Sequence, residues 1–368
     1  MSFFSRYRIA TFLCVAAMGC SAADEGTESG EQEQEPTRAH DLAPAPALTS
    51  TSVDLPITVR GTGAATLRAN VFANPAAPAT ASATILSIPG LGATAKVFDP
   101  LTAALFADPA LGAAVKQVVT IDPVGHGASS VPTGLPEGVT YGDLTIEDGV
   151  DAIVQALRGL AAQGYGPQLI VSAGLGGLEV AAAQERLLAE GSSLAQIGVR
   201  SVLLYAPVPS SGRPWTLPAT AATISQYYAD DAARGRVYAL APEVWARSGF
   251  TTSAGTVVAD GPSAAQVTEL GLSAPEPVAV VEQLFETGTV LRPIVRAGAF
   301  AAENGTRLIA VGLSENTSVQ PPDVADFYAH LTGDTTGARY VAITAPDAVA
   351  NYFITQPALT LQATRAHF

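Results

Sequence analysis

Asp122-Pro123-Val124-Gly125-His126-Gly127-Ala128-Ser129 is the stretch on which the fold turns. It closes the apolar run Gln117–Asp122 and sets two glycines around a histidine, so a buried strand ends there in a tight loop. Working outward, six more runs read as strands: Ala65–Ala73, Thr84–Pro89, Gln168–Ser172, Val199–Pro207, Arg307–Gly312 and Arg339–Thr344. Most are continuously apolar, as in strands covered on both faces. Amphipathic helices are expected between them at Val97–Phe106, Ile146–Ala162, Leu178–Glu190 and Val324–Leu331. Strand–helix alternation predicts a mostly parallel α/β sheet. Residues 210–305 break the rhythm and read as an inserted cap over the sheet's carboxyl edge.

Composition narrows the function. The chain has 368 residues, a net charge of −14, 48% hydrophobic and 14% charged residues. It is too apolar to be wholly disordered, and it lacks the Lys/Arg clusters that phosphate binding requires, so no nucleic acid partner is expected. Its lysines are Lys96 and Lys116 alone, and its two cysteines, Cys14 and Cys20, lie in the first twenty residues. The body therefore offers no thiolate metal site, disulfide or cysteine nucleophile.

The N-terminus reads as an export segment. Arg6 and Arg8 precede the apolar run Ile9–Gly19, which is too short to span a bilayer as a mature helix. Ala17-Met18-Gly19-Cys20 resembles a bacterial lipoprotein signal, with residues 1–20 as the signal and Cys20 as the lipidated residue. Under the usual sorting rule for such proteins, Ser21 favours the outer membrane. The alternative is cleavage after Ser21-Ala22-Ala23, releasing a secreted or periplasmic protein. Residues 21–50 follow as an acidic, Pro/Ala-rich tether, and 51–368 as the folded domain.

Four landmarks in order resemble the α/β-hydrolase fold over about residues 55–366. Ile85-Leu86-Ser87-Ile88-Pro89-Gly90-Leu91-Gly92 is similar to the family's strand and oxyanion loop, with Pro89 where histidine is usual. The Asp122–Ser129 stretch matches the family's Asp-x-x-Gly-His-Gly-x-Ser loop, which implies a structural part for Asp122, Gly125, His126, Gly127 and Ser129. Gln168–Gly177 sits where the nucleophile elbow belongs, and 210–305 where the cap is inserted.

The elbow decides the chemistry. The family writes Gly-x-Ser-x-Gly, with serine on a strained turn. Here the run is Ser172-Ala173-Gly174-Leu175-Gly176-Gly177, so the nucleophile slot holds Gly174. A glycine has no side chain to attack a carbonyl. Ser172, two residues earlier, is expected to point away from the mouth. The acid slot falls on Asn316 or Glu315, and the histidine slot on Asp347 or Ala348, so no histidine stands there. Of the four histidines, only His126 lies beside the expected cleft, with a general-base role as a minor alternative to the structural one. Backbone amides of Leu91 and Leu175 remain as oxyanion-hole candidates, with Pro89, Gly90 and Gly176 lining the cleft.

No metal or cofactor is expected. Asp230 and Asp231 have no histidine near them, and no phosphate loop is present. The cap aromatics Trp215, Tyr227, Tyr228, Tyr238, Trp245 and Phe250 either line an apolar pocket or fasten the cap to the body. Arg292 and Arg296, four apart, read as a helix face, as do Glu282 and Glu286. Two functions remain. One is a protein that binds a small apolar or ester-like ligand, or a partner, without catalysis. The alternative is an active esterase, lipase or non-hydrolytic enzyme using unusual residues.

Overall fold

An eight-stranded sheet carries the molecule, in the order β1-β2-β4-β3-β5-β6-β9-β10. Its strands are β1 Ser50–Val59, β2 Gly63–Ala73, β3 Ala83–Ile88, β4 Val115–Ile121, β5 Leu169–Ala173, β6 Ser201–Tyr205, β9 Arg307–Leu313 and β10 Tyr340–Ile343. From β4 to β10 all neighbours are parallel; only β1–β2 and β2–β4 are antiparallel. The computed structural model describes residues 48–215, 237–239, 241–248, 262–272, 274–286, 289–316, 318–345, 348, 354 and 356–365. Cys20, most of the tether, Tyr227, Tyr228, Asp230, Asp231, Phe250 and Asp347 lie outside these residues.

Burial follows the sheet's architecture. Every residue of β5 and β6 is buried, because helices cover both faces. β1 and β2 instead alternate buried and exposed residues, as an antiparallel hairpin with one wet face should. That polar alternation is why β1 does not stand out as an apolar run. Arg60 and Gly61 take positive φ in the turn between them, which suits a right-twisted hairpin.

The helices are α1 Asp99–Ala107, α2 Pro109–Ala114, α3 Ile146–Ala162 and α4 Gly174–Ala189. The expected start of α4 at Leu178 is four residues late. The glycine-rich run that reads as loop is already helical, and Gly177 lets α4 press on Pro207: a Cβ there would lie 2.8 Å from the proline Cβ. Thr145 and Asp148 cap α3 reciprocally, and Arg60 from the hairpin turn pairs with Asp148 at 2.8 Å.

The cap insertion leaves the sheet after β6. Its described elements are α5 Pro242–Ser248, α6 Ala264–Glu269, α7 Val278–Leu284 and a two-stranded ribbon, β7 Val237–Tyr238 with β8 Glu276–Pro277. The chain returns through β9, α8 Pro321–Thr332, β10 and α9 Pro357–Arg365. The pairing of Arg292 and Arg296 on a helix is corrected: residues 289–300 form extended chain and turns. Arg292 is buried, not solvated. It donates to the carbonyls of Pro209 (3.0 Å) and Leu284 (3.1 Å), lies 3.3 Å from Glu286, and stacks over Trp215. Trp215 stacks in turn on Phe285 and donates from Nε1 to the Ser318 carbonyl, so this aromatic fastens the cap to the body. Arg296 is half-exposed and pairs with Glu185 at 3.4 Å. Among the described residues, no helix is long and apolar enough to cross a membrane.

Candidate functional site

The strand order reverses at β3, which lies between β4 and β5. In open α/β sheets the crevice forms at such a switch point, beyond the strands' carboxyl ends. Three loops meet there: Pro89–Thr94 after β3, Asp122–Ser129 after β4, and the elbow after β5.

The elbow keeps its left-handed turn, with a glycine at its centre. Gly174 has φ +53°, the left-handed conformation that the reacting residue of an elbow adopts, and among the described residues nothing lies within 4 Å of where its Cβ would be. Close approach explains Gly176. A Cβ there would meet the Pro89 carbonyl at 2.3 Å, the Ser172 hydroxyl at 2.8 Å and the Ile88 carbonyl at 3.1 Å. Ser172 itself is fully buried and donates to the Ile88 carbonyl at 3.0 Å, so its oxygen faces strand β3. Gly90 brings its loop against the elbow, its Cβ direction 3.5 Å from the Leu175 nitrogen. Among the described residues, the amides of Leu91 and Leu175 donate to no protein acceptor.

The Asp122–Ser129 loop is tied internally. Asp122 accepts from the amides of Ala95 (2.8 Å) and Ala128 (2.9 Å), and the Ser129 hydroxyl donates to the Asp122 carbonyl at 2.7 Å. Gly127 has φ +52°, and a Cβ there would strike the Asp122 carboxylate. Gly125 likewise gives its space to the Tyr141 ring.

The loops that carry the acid and histidine slots meet. The Glu315 amide donates to the Ala348 carbonyl at 3.1 Å, so the loops after β9 and β10 are joined. Asn316 is buried and spends its Oδ1 on the amides of Ser318 (2.8 Å) and Val319 (3.2 Å), closing its own turn. Ala348 is fully buried.

His126 is engaged at both nitrogens. Nδ1 lies 2.9 Å from the Val124 carbonyl oxygen, which only accepts, so that nitrogen carries a proton. Nε2 lies 3.1 Å from Oε1 of Glu276, a cap residue. The contact is a charge pair rather than a well-aligned hydrogen bond. Both ring nitrogens of His126 therefore face protein groups, Nδ1 a backbone carbonyl and Nε2 the Glu276 carboxylate. Glu276 also accepts from the Gly92 amide at 2.6 Å.

Sequence reasoning missed Glu276 and Glu179. Together with His126, Tyr141, Pro89, Gly90 and Leu175 they line a cavity of about 50 Å³, room for a few waters or a very small molecule. Glu179 also borders an apolar void of about 40 Å³ beneath it. Burial pushes the Glu179 carboxyl up to about 8, helped by Glu276 and opposed by His126. Burial disfavours the His126 charge, but the Glu276 carboxylate outweighs it and raises the imidazole to about 9. Burial, then Glu276, raises the Tyr141 hydroxyl; it donates to the Val124 carbonyl at 3.0 Å. Glu179 had one sequence signal, a lone acid in the apolar start of α4. Glu276, between two prolines, had none.

No protein-family profile and no curated protein sequence matches the chain. Solved structures do. It is similar to the naproxen esterase (carboxylesterase NP) of Bacillus subtilis, with TM-score 0.52 and 13% identity over 87% of this chain and 92% of that one. It is similar also to a thermophilic esterase from Thermogutta terrifontis, with TM-score 0.53 and 14% identity over 86% of this chain and 97% of that one. At such identities the likeness speaks for architecture. The parallel sheet, its order, the elbow turn and the cap after β6 give this chain the α/β-hydrolase fold.

Proposed function

We propose that this protein binds a small ligand or a partner on an α/β-hydrolase scaffold and does not catalyse acyl transfer. The observation that carries the reading is Gly174: the elbow turn is intact, and among the described residues nothing lies within 4 Å of where its side chain would begin. Ser172 supplies no substitute, since its hydroxyl is spent inside the sheet. Backbone donors at Leu91 and Leu175 still offer two N–H groups to a polar ligand atom, and the cavity walls are largely apolar. Both features suit the small apolar or ester-like ligand expected from the sequence.

The test treats the purified full chain with a fluorophosphonate probe and short-chain p-nitrophenyl esters. The expected result is no covalent adduct and no turnover above a heat-denatured control. Labelling of any serine establishes the rival enzyme reading instead.

The same proposal places the protein in the cell envelope, held by a lipid on Cys20, with Ser21 favouring the outer membrane. Cells fed radiolabelled palmitate should label the wild-type chain and not Cys20→Ala. Label that persists in the variant refutes anchoring at that cysteine.

A further inference from the structure

We propose that Glu276 is a charge latch, which through its pairing with His126 holds the returning arm of the cap, Ser263–Leu284, closed over the cavity. The arm meets the oxyanion loop at a few polar contacts concentrated on Gly92–Thr94. The Ala274 amide donates to the Gly92 carbonyl at 2.9 Å, and the Thr94 amide to the Gly271 carbonyl at 2.9 Å. Between them, the Glu276 carboxylate accepts from the Gly92 amide at 2.6 Å and lies 3.1 Å from His126 Nε2. Trp245, from the same insertion, packs over Gly92, 3.2 Å from where its Cβ would be.

Both charged partners are deeply buried, His126 at 2% and Glu276 at 8% side-chain exposure. A buried ion pair holds only while both charges are present; removing one leaves the other without solvent or counter-charge. The surroundings sharpen this dependence. Facing the imidazole are Glu276 from the arm and Glu179 from α4. Asp148 from α3, on the cavity wall, is neutralised by Arg60. Tyr141 contributes a neutral hydroxyl, bonded to the carbonyls of Val124 and Pro275. Glu147 is held by Gln283 of the arm at 2.7 Å. Loss of the imidazolium charge at about pH 9, where Glu179 is ionised as well, therefore leaves Glu276 facing Glu179 with no Lys or Arg among the described residues that line the cavity. Glu276, Pro277 and Val280 form the arm's side of the cavity, so release of the arm opens it. Closure acts on access to the cavity whether the occupant is bound or transformed.

Hydrogen exchange of the full chain at neutral pH, read by mass spectrometry, tests the latch. In Glu276→Ala, peptides spanning 90–95 and 271–277 should exchange about tenfold faster or more, with β5 and β6 peptides unchanged. Glu276→Gln keeps an acceptor for the Gly92 amide but loses the charge. Wild-type protection of these peptides, corrected for intrinsic exchange, should fall between pH 7 and pH 10, as the charge on His126 titrates at about 9. In Glu276→Gln the fall over the same range should be smaller, reduced to the part owed to ionisation of Glu179. Unchanged exchange in Glu276→Ala, or the same pH dependence in wild type and Glu276→Gln, overturns the proposal. Should Glu276→Ala also loosen β5 and β6, the pH comparison decides alone.

Discussion

Gly174 holds the elbow turn with no side chain of its own. The turn it occupies needs a left-handed backbone, which costs an L-residue about 1–2 kcal/mol and glycine almost nothing. Glycine thus takes the turn without that strain. Gly174→Ser should fit sterically, since the Cβ position is empty. Its expected cost is about 1 kcal/mol in urea unfolding, with no gain in p-nitrophenyl ester turnover. A hydroxyl alone is not enough: Asn316 is committed to its own turn, Ala348 is fully buried, and both His126 nitrogens are engaged. Turnover in this single variant would show that a base stands within reach of position 174. The vacant slot was legible from the run Ser172–Gly177. The buried fate of Ser172 was legible too, because it lies on the strand, two residues before the turn that faces the cleft.

At the scale of elements, the site depends on how closely α4 can approach the end of β3. Gly176 is the contact point, where two backbone carbonyls and the Ser172 hydroxyl occupy the volume a methyl group would need. Neither carbonyl can swing aside as a side chain could. Gly176→Ala should therefore destabilise the protein by about 3 kcal/mol, measured by chemical unfolding, and should disturb the Leu175 amide that follows the elbow. A loss below about 0.5 kcal/mol would mean that the helix shifts freely. Helix α3 was legible to its last residue from its amphipathic period, and the Thr145–Asp148 cap fixes its start in the structure. The segment around Arg292 was not. Its i, i+4 spacing mimics a helix face, but the guanidinium serves two carbonyls, a carboxylate and an indole ring from separate segments. Spacing alone cannot distinguish a solvated stripe from such a clamp.

For the whole molecule, the buried charges at the cap interface set the response to pH. Glu179 in the folded chain binds its proton up to about 8, against an ordinary value of 4.5, so ionisation progressively opposes folding as pH rises between those values. His126 acts in the same direction over a higher window. Its charge, held to about 9 against 6.5, contributes stability that is complete below 6.5 and lost as pH rises through 9. Melting temperature should therefore fall from pH 6.5 to pH 9. Glu179→Gln, neutral at every pH, should flatten the lower part of that decline and melt higher than wild type at pH 8. A wild-type melting temperature that rises over this range would contradict both assignments.

Much of the fold is a local property of the chain, which is why the sequence determined it. Continuous apolar runs, helix periods and glycines at fixed loop positions each encode an element, and the Asp122–Ser129 loop encodes its place in the order. The glycine in the elbow slot is equally local, because a single position holds it. Only the tertiary structure decided what faces the cleft. His126 and Glu276 are 150 positions apart in numbering, and they pair because the cap folds back onto the switch point between β3 and β5. Long-range charge pairing leaves no periodic trace in a sequence, since each partner needs only the other and not its own neighbours.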